Sequence, residues 1–227
     1  MNRKIIAIAA CFLLAGPLFA QSKEDERLEK SATVMQEILG GDKGLPTHIL
    51  DQAQCVLVFP SVKKVAIGLG SSYGRGALVC RKGAKRDGAW GAPAMYALDQ
   101  GSLGIQLGST ATDFVLVVMR EKGVEQILNG KTKLGGNAAA AAGPTGAQAT
   151  GYNAAEMTAD VLTYSRSKGL FAGVSLEGAS MDTDNDANKK VYGKSIDAKT
   201  IVTTNQAVPG SGKALVELLD KASPKRK

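Results

Sequence analysis

The stretch Tyr164–Gly178, with the sequence YSRSKGLFAGVSLEG, is the most distinctive segment of the chain. It has a basic pair, Arg166 and Lys168, followed by an apolar segment that is interrupted by glycines. A similar apolar-x-Leu-x-small pattern occurs at Ile67–Ser71 and at Ile105–Ser109. Glycine inside a strand marks a bend, a bulge or a close approach of two backbones. Several such strands indicate a strongly curved sheet or a partial barrel.

The segments around this stretch alternate between helical and strand patterns, with a helix near each end of the chain. We expect helices at Ser22–Leu39, Pro46–Ala53, Gly123–Leu128 and Gly212–Ala222. We expect strands at Gln54–Phe59, Val65–Ser71, Gly76–Arg81, Ala94–Leu98, Ser102–Gly108, Phe114–Met119, Met157–Ser165 and Leu170–Leu176. The sequence therefore predicts an α+β fold, in which N- and C-terminal helices cover a curved, mainly antiparallel β-sheet or partial barrel.

Several local signals refine this prediction. Ser22 followed by Asp25 makes a capping box for the first helix. Pro60 is expected to end the first strand, because proline has no N–H group to donate. Phe114–Met119 is apolar throughout and should be a central strand covered on both faces. The Gly- and Ala-rich segment Leu134–Ala155 is interpreted as a tightly packed connection within one domain, since small residues let backbones approach closely.

The first twenty residues have the pattern of a bacterial-type secretory signal peptide. A short basic region precedes the apolar run Ile5–Leu14, and Ala20 is the small residue expected before the cleavage site. The apolar run is too short for a membrane-spanning helix. Lipoprotein processing at Cys11 is a less favoured alternative, because few apolar residues precede this cysteine. We therefore expect an exported domain comprising residues 21–227, located in the periplasm or at the outer membrane.

The composition favours an anionic partner and disfavours nucleic acid. The chain has 28 Lys and Arg against 21 Asp and Glu, a formal net charge of +7. A basic protein attracts anionic surfaces such as phospholipid headgroups. Aromatic residues make up 5% of the chain, which is too few for the stacking platforms that bind single-stranded nucleic acid.

Motifs for catalysis and for metal or cofactor binding are absent from the sequence. His48 is the single histidine, and no nucleophile motif accompanies it, so a hydrolase based on His48 is a remote alternative. Asp182–Asp186 lacks the glycine and glutamate positions of a calcium-binding loop. A strand, and not the helix of a dinucleotide-binding motif, is expected after the glycines of Gly68–Gly76, and Gly143–Gly146 lacks the lysine of a P-loop. We expect a protein without enzymatic activity, cofactor or metal.

Two cysteines follow the expected signal peptide, Cys55 and Cys80, and both lie in predicted strands. They could form a disulfide in an oxidising compartment. They could equally be two buried, unpaired thiols, since free cysteine is often buried. The sequence leaves both alternatives open.

Four blocks resemble one known family in their order along the chain. They are Gln54–Pro60 (QCVLVFP), Gly88–Pro93 (GAWGAP), Ala142–Gly146 (AGPTG) and Tyr164–Gly178, and Asn188–Gly193 (NKKVYG) follows them. The chain resembles the SYLF domain, also called the Ysc84-type actin-binding or lipid-binding domain, over about residues 32–219. The resemblance implies a non-enzymatic module that binds phosphoinositides and other anionic lipids, and whose eukaryotic relatives also bind actin.

The first predicted helix departs from the lipid-binding pattern. It has five acidic and three basic residues, a net charge of −2, whereas lipid-seeking helices favour a basic polar face. We therefore expect it to cover the sheet, and we expect lipid contacts from basic residues on loops. The candidates are Lys63, Lys64, Arg81, Lys82, Lys85, Arg86, Arg166, Lys168, Lys189 and Lys190. Arg166 and Lys168 could instead form ion pairs with Glu177 or Asp160. Trp90 and Phe171 are candidate apolar contacts, although core positions are favoured for both.

The sequence thus predicts peripheral binding to an anionic membrane surface of a cell envelope. Actin is not expected as a native partner, because of the signal peptide and the absence of an attached SH3 or FYVE domain. The alternative is a structural or interaction protein of the envelope that binds a protein or polysaccharide.

Overall fold

The computed structural model describes residues 21–41, 44–65, 71–101, 111–146, 154–167 and 170–226. The helices in these ranges are α1 (Lys23–Gly40), α2 (Thr47–Gln52), α3 (Glu121–Leu128), α4 (Ala154–Thr158), α5 (Asn185–Tyr192), α6 (Ala198–Thr203) and α7 (Lys213–Ala222). The strands are β1 (Cys55–Val65), β2 (Ser71–Cys80), β3 (Ala94–Gly101), β4 (Ala111–Val118), β5 (Thr132–Lys133), β6 (Ala140–Ala142), β7 (Val161–Ser167), β8 (Leu170–Gly173) and β9 (Ser180–Thr183). The expected signal peptide, Cys11, the expected strand Ser102–Gly108 and Lys168 lie outside the described residues.

The strands form one sheet in the order β5–β9–β3–β2–β1–β4–β7–β6, and β8 also pairs with β7. Within the described strands, β6 and β7 are parallel, and the other pairs are antiparallel. The sheet curls into a half-barrel, and helices cover it at the N- and C-terminal ends of the chain. The predicted α+β fold is confirmed.

Both faces of the sheet are buried. In β1, Leu57 and Phe59 belong to one apolar cluster, with residues of α3 and α6, while Val56 and Val58 belong to a second cluster, with residues of α1, α2 and α7. This alternation follows from the two-residue side-chain period of a strand. β4 lies between β1 and β7, and its residues Phe114–Val118 are all buried. The prediction that this strand is central and covered on both faces is confirmed.

Helix α1 forms as the capping signal predicts. The Ser22 hydroxyl accepts a hydrogen bond from the Asp25 N–H at 3.0 Å. Leu28, Met35 and Ile38, which follow helical spacing, are buried against the sheet. Helix α1 therefore covers the sheet with its apolar face, as its charge pattern predicts.

Pro60 does not end the first strand, so that prediction is wrong. β1 continues to Val65 through a β-bulge between Phe59 and Val62, where the missing proline N–H interrupts no regular ladder bond. At the bulge, Ser61 has a φ of 52°, and its N–H donates to the Asp113 carboxylate at 2.7 Å.

β2 is one continuous strand, whereas the sequence predicted two short strands separated by glycine turns. Its glycines make room for β1: a Cβ atom on Gly76 would lie 1.9 Å from the Val58 oxygen, and one on Gly74 would lie 2.5 Å from the Val62 side chain. Gly76 thus permits the close approach of two backbones and Gly74 makes room for a side chain, and neither marks a turn. Gly143 has a similar role in the connection after β6, because its Cβ would meet the Tyr164 ring at 2.2 Å.

Other element predictions need smaller corrections. Residues 154–158 form helix α4, so the strand expected at Met157–Ser165 begins only at Val161. The last predicted strand ends at Gly173. Helices α5 and α6 were not predicted, although Asp184 and Asp197 are their N-cap residues and are a helix-start signal in the sequence.

Among the described helices, none combines the length and the apolar character needed to cross a membrane.

Candidate functional site

The candidate basic residues are spread over two ends of the sheet and one helix. We call the end where Cys55 of β1 lies beside Cys80 of β2 the disulfide end. We call the opposite end of the same strands, where Lys63 lies beside Tyr73, the hairpin end. Seven residues separate Tyr73 from Cys80 along β2, so the two ends are about 23 Å apart. The candidates therefore do not form a single patch.

Cys55 and Cys80 are joined by a disulfide, with the two sulfur atoms 2.13 Å apart. They occupy directly opposed positions on neighbouring strands, and both are buried. Of the two alternatives that the sequence left open, the structure has the disulfide.

Arg81 follows the disulfide directly and is completely buried, at 0% exposure. Its guanidinium donates to the backbone oxygens of Ala53, Ser223 and Pro224, each at 3.1 Å, and lies 4.4 Å from the Trp90 ring centroid. The expectation that Arg81 presents its charge on a loop surface is wrong, because the residue connects the end of the chain to the sheet. Trp90 has the core position that was favoured for it.

The loop after Arg81 contains three further candidates. Lys85 is exposed and Lys82 is half-buried. Arg86 is buried, at 7% exposure, so the expected surface position is wrong for it as well. Its Nη1 donates to the Arg81 oxygen at 3.3 Å, while its Nε has no hydrogen-bond partner. Burial lowers the pKa of the Arg86 guanidinium, and the Glu121 carboxylate opposes this shift.

Arg166 lies on β7 at the hairpin end and is already engaged. It forms an ion pair with Glu37 of α1 and a second one with Asp113 of β4, with 3.6 Å between Nη1 and Oδ2. Its guanidinium carbon also lies 5.7 Å from the Phe171 ring centroid. The structure thus confirms an ion-paired Arg166, but the predicted partners Glu177 and Asp160 are wrong. The Asp160 carboxylate instead accepts from the Ala139 N–H.

Lys63 and Lys64 lie on strand β1 and not on a loop. The Lys63 side chain is exposed, and its cross-strand partner Tyr73 is 42% exposed. Leu170, at the start of β8 and opposite Ser167 of β7, is 71% exposed. Among the described residues, the exposed large apolar side chains are Tyr73, Leu170 and Met157.

Tyr73 and Leu170 were missed from the sequence. The sequence pattern places Tyr73 between two short strands and Leu170 at the start of a strand, and it does not indicate that either side chain is exposed. Leu170 lies within the most distinctive block, directly after Lys168 and Gly169, and this position beside a basic residue was the available signal.

Lys189 and Lys190 lie in the last turn of α5, and both are exposed. The Lys190 ammonium group lies 3.1 Å from the Glu24 carboxylate of α1. Cations in this position also interact favourably with the C-terminal end of a helix dipole. These two lysines therefore have a local role that is independent of a ligand.

Acidic and histidine side chains do not assemble a metal site in the part of the chain that the structure describes, where no group of three or more potential ligands is found. In the segment Asp182–Asp186, the Asp184 carboxylate caps α5 by accepting from the Ala187 N–H at 3.1 Å, and it also pairs with Arg75. His48 is half-buried on α2.

Comparison with known proteins identifies relatives along most of the chain. Residues 99–222 match the family described as "Ysc84: Las17-binding protein actin regulator". Protein YSC84 of Saccharomyces cerevisiae is 31% identical over 206 residues, which is 89% of this chain and 43% of the relative. LAS seventeen-binding protein 3 of the same yeast is 32% identical over 89% of this chain and 44% of its own length. SH3 domain-containing YSC84-like protein 1 of Homo sapiens is 31% identical over 92% of this chain and 60% of its own length.

The chain spans between 43% and 60% of the length of these three relatives. The family description and the name of LAS seventeen-binding protein 3 refer to binding and regulation, and neither names a catalytic activity. The family description as an actin regulator does not support the expectation that actin is excluded as a partner. The family match covers more than half of the chain, so the predicted resemblance is confirmed and the chain belongs to the Ysc84 family, the family of the SYLF domain.

Proposed function

We propose that this chain is a non-enzymatic domain that binds anionic lipid surfaces through the hairpin end of its sheet. The observation that carries the proposal is the exposure there of one cation and two apolar side chains, Lys63, Tyr73 and Leu170. An apolar side chain with a nearby cation suits the boundary between anionic headgroups and acyl chains.

The energetics of such a contact favour reversible binding. Each basic side chain near an anionic surface contributes about 1 kcal/mol. Full burial of a leucine side chain contributes about 2 kcal/mol. Binding should weaken with salt, because exposed charges are screened.

Helix α1 and Arg166 are unsuitable as the main contacts. The apolar face of α1 is buried against the sheet, and its exposed face is net acidic. The charge of Arg166 is offset by Glu37 and Asp113. Lys85 lies near the disulfide end, so a flat surface in contact with Tyr73 would not reach it.

The disulfide supports an exported location for the protein. Disulfides persist mainly in oxidising compartments, and Cys55–Cys80 is buried beside the core. Together with the N-terminal signal pattern, this leads us to propose an envelope membrane as the lipid surface.

Vesicle co-sedimentation of residues 21–227 tests the proposal. Neutral vesicles are compared with vesicles that contain anionic phospholipid or phosphoinositide, at low and at high salt. We expect binding to anionic vesicles that salt weakens. Lys63→Glu should reduce the affinity about tenfold, because it reverses a charge at the contact. The matched control is Lys221→Glu, which makes the same charge change at an exposed position of α7, near the disulfide end.

The apolar contribution is tested separately with Tyr73→Ser and Leu170→Ser. Leu170 is 71% exposed, and Tyr73 is 42% exposed with its hydroxyl accepting a hydrogen bond from Arg75. The fold should tolerate both changes while vesicle binding falls. Absence of wild-type binding to any vesicle would overturn the proposal, and equal effects of Lys63→Glu and Lys221→Glu would remove the hairpin end as its site.

A second candidate function is binding to a protein partner, and the family description as an actin regulator favours it. Co-sedimentation with filamentous actin distinguishes the two candidates. Binding to actin without binding to any vesicle would make the protein-binding function the leading one. The same variants would test a polysaccharide partner.

A further inference from the structure

We propose that the loop Lys82–Gly88 and the C-terminal end of α6 form a binding site for a small phosphate-type oxyanion, with Arg86 and Lys82 as its cationic groups. The site lies beyond the end of β2 that carries Cys80, and therefore far from the hairpin end. It is independent of the proposed contact with a lipid surface.

The space for such a ligand is present. A cavity of about 500 Å³ lies between the loop and the end of α6, and its lining includes Lys82, Arg86, Thr203, Thr204 and Asn205. Two cationic side chains face it, and no acidic side chain does in the part of the chain that the structure describes.

Arg86 has no ion-pair partner among the described residues. It is more than nine-tenths buried, its Nε has no hydrogen-bond partner, and its recorded hydrogen bond is a long one to the Arg81 oxygen. Burial of a charge is unfavourable unless the charge is paired. The guanidinium has five donors in a planar fork, which is suited to binding an oxyanion through two hydrogen bonds.

The other arginines in buried or concave places do not share this condition. The Arg81 nitrogens have backbone and hydroxyl acceptors. In a larger groove of about 690 Å³, Arg120 donates to the Met157 oxygen and Arg226 donates to the oxygens of Asp51 and Ala53. Arg27 also has an unbonded Nη1, but the carboxylates of Glu24 and Asp184 both favour its charged form, whereas that of Glu121 does so for Arg86, and Arg27 does not line this cavity.

A structural explanation for Arg86 would be that it satisfies the C-terminal carbonyl groups of α6. Arg86 makes no recorded hydrogen bond to α6, and the hydroxyl groups of Thr203 and Thr204 donate to the Lys199 and Thr200 oxygens at 2.7 Å each. α6 has six residues, so its dipole is small. The helix end is therefore partly satisfied without Arg86, and the charge still lacks a partner.

Calorimetric titration and thermal unfolding of the purified protein with inorganic phosphate test the site, with chloride at matched ionic strength as the reference. We expect phosphate to bind and to raise the wild-type Tm, because a ligand that binds the folded state stabilises it. Arg86→Met should weaken phosphate binding about tenfold or more, since it removes the charge-assisted bonds. Lys82→Met should weaken it about threefold, as expected for a partly exposed cation. Lys85→Met, on the same loop outside the cavity, should leave binding unchanged.

The unliganded variants separate a binding role from a structural one. In chloride, Arg86→Met should be at least as stable as the wild type, because it removes an unpaired buried charge. A lower Tm in chloride together with an unchanged response to phosphate would assign Arg86 to holding the loop and overturn the proposal. Absence of any phosphate response in the wild type would overturn it too. Lys82→Met provides the test if Arg86→Met does not fold.

Two further arms identify the source of the oxyanion. Glycerol 3-phosphate represents a soluble phosphomonoester, and vesicles containing a phosphorylated inositol lipid represent a headgroup. Sensitivity to Arg86→Met in the soluble arm alone would indicate a free phosphate ligand. Sensitivity in both arms would indicate that the site also accepts a lipid headgroup, while Lys63→Glu should affect the vesicle arm alone.

Discussion

At the disulfide end of β2, Arg81 is buried beneath the C-terminal residues, whereas at the hairpin end of the same strand Tyr73 and its neighbour Lys63 are exposed to solvent. Arg81 uses its charge to hold together segments that are distant along the chain. Lys63 makes no such contact with the residues that the structure describes. Arg81 and Lys63, two basic residues that look equivalent in sequence, therefore differ in the structure: the first is buried and engaged within the fold, and the second is exposed.

Arg81→Met, at the disulfide end, should cause the largest loss in the free energy of unfolding. It leaves the oxygens of Ala53, Ser223 and Pro224 without their donor and removes the contact with Trp90. We expect a loss of about 4 kcal/mol in the free energy of unfolding, because buried acceptors would be left unsatisfied. Chemical denaturation measures it, with Lys85→Met as the exposed control. A loss comparable to that of the control would mean that the disulfide end does not depend on Arg81.

Removal of the disulfide should have the next largest effect. The bond closes a loop with a sequence separation of 25, for which the loss of chain entropy corresponds to about 3 kcal/mol. The double variant Cys55→Ala and Cys80→Ala should unfold at a correspondingly lower denaturant concentration, and the reduced wild type should match it. Vesicle binding by the folded protein should be unchanged, since the hairpin end lies at the other end of β1 and β2. A parallel loss of vesicle binding at temperatures where the variant is folded would show that the two ends are coupled.

Loss of the Asp25 charge at the start of α1 should reduce the free energy of unfolding by a smaller amount, which depends on pH. Hydrogen bonds from the hydroxyl groups of Ser211 and Ser22 hold the pKa of Asp25 below its ordinary value. Its stabilising contribution is therefore full above the unfolded-state pKa of about 4 and is lost as the pH falls through the lower folded-state pKa.

Asp25→Asn should accordingly cost about 1 kcal/mol at neutral pH, as expected for hydrogen bonds to a charged group. The difference from the wild type should shrink as the pH falls below about 4. Denaturation curves at several pH values measure it. A difference that is constant with pH would remove the Asp25 charge as its cause.

Arg166→Met should have the smallest effect on stability, although Arg166 and Arg81 are both engaged arginines. Arg166 is 25% exposed at its side chain and its partner Glu37 is 40% exposed, so solvent weakens the pair. We expect a loss of about 0.5 kcal/mol, typical of a partly exposed ion pair. High salt should reduce this difference further, whereas the effect of Arg81→Met should persist in salt. A loss as large as that of Arg81→Met would contradict the contrast between the ends.

The general fold could be predicted because its signals are local. The apolar runs in β1 and β4 and the capping serine of α1 each lie within a few neighbouring residues. The role of each cation could not be predicted in the same way. Arg81 is separated by 28 residues from Ala53 and by 142 residues from Ser223, and no local pattern reports such contacts.

Contacts between segments that are distant along the chain also explain why some sequence-based predictions were wrong. Pro60 and the glycines of β2 look like strand breaks until the close approach of β1 is known. Tyr73 and Leu170 were missed because their exposure depends on where the strands end relative to one another. Arg166 was correctly recognised as a potential ion-pair residue, but its partners come from α1 and β4 through the curvature of the sheet.

The half-barrel is an open sheet, and its outermost strands have a consequence for solubility. β5 has two residues, β6 has three and β8, which pairs with β7, has four, so each presents a few unpaired backbone groups at the described edges. A second copy of the chain could add there through a few hydrogen bonds at most. Short outer strands of this kind discourage the edge-to-edge stacking that leads to aggregation. An open sheet can therefore persist at high protein concentration without closing into a full barrel.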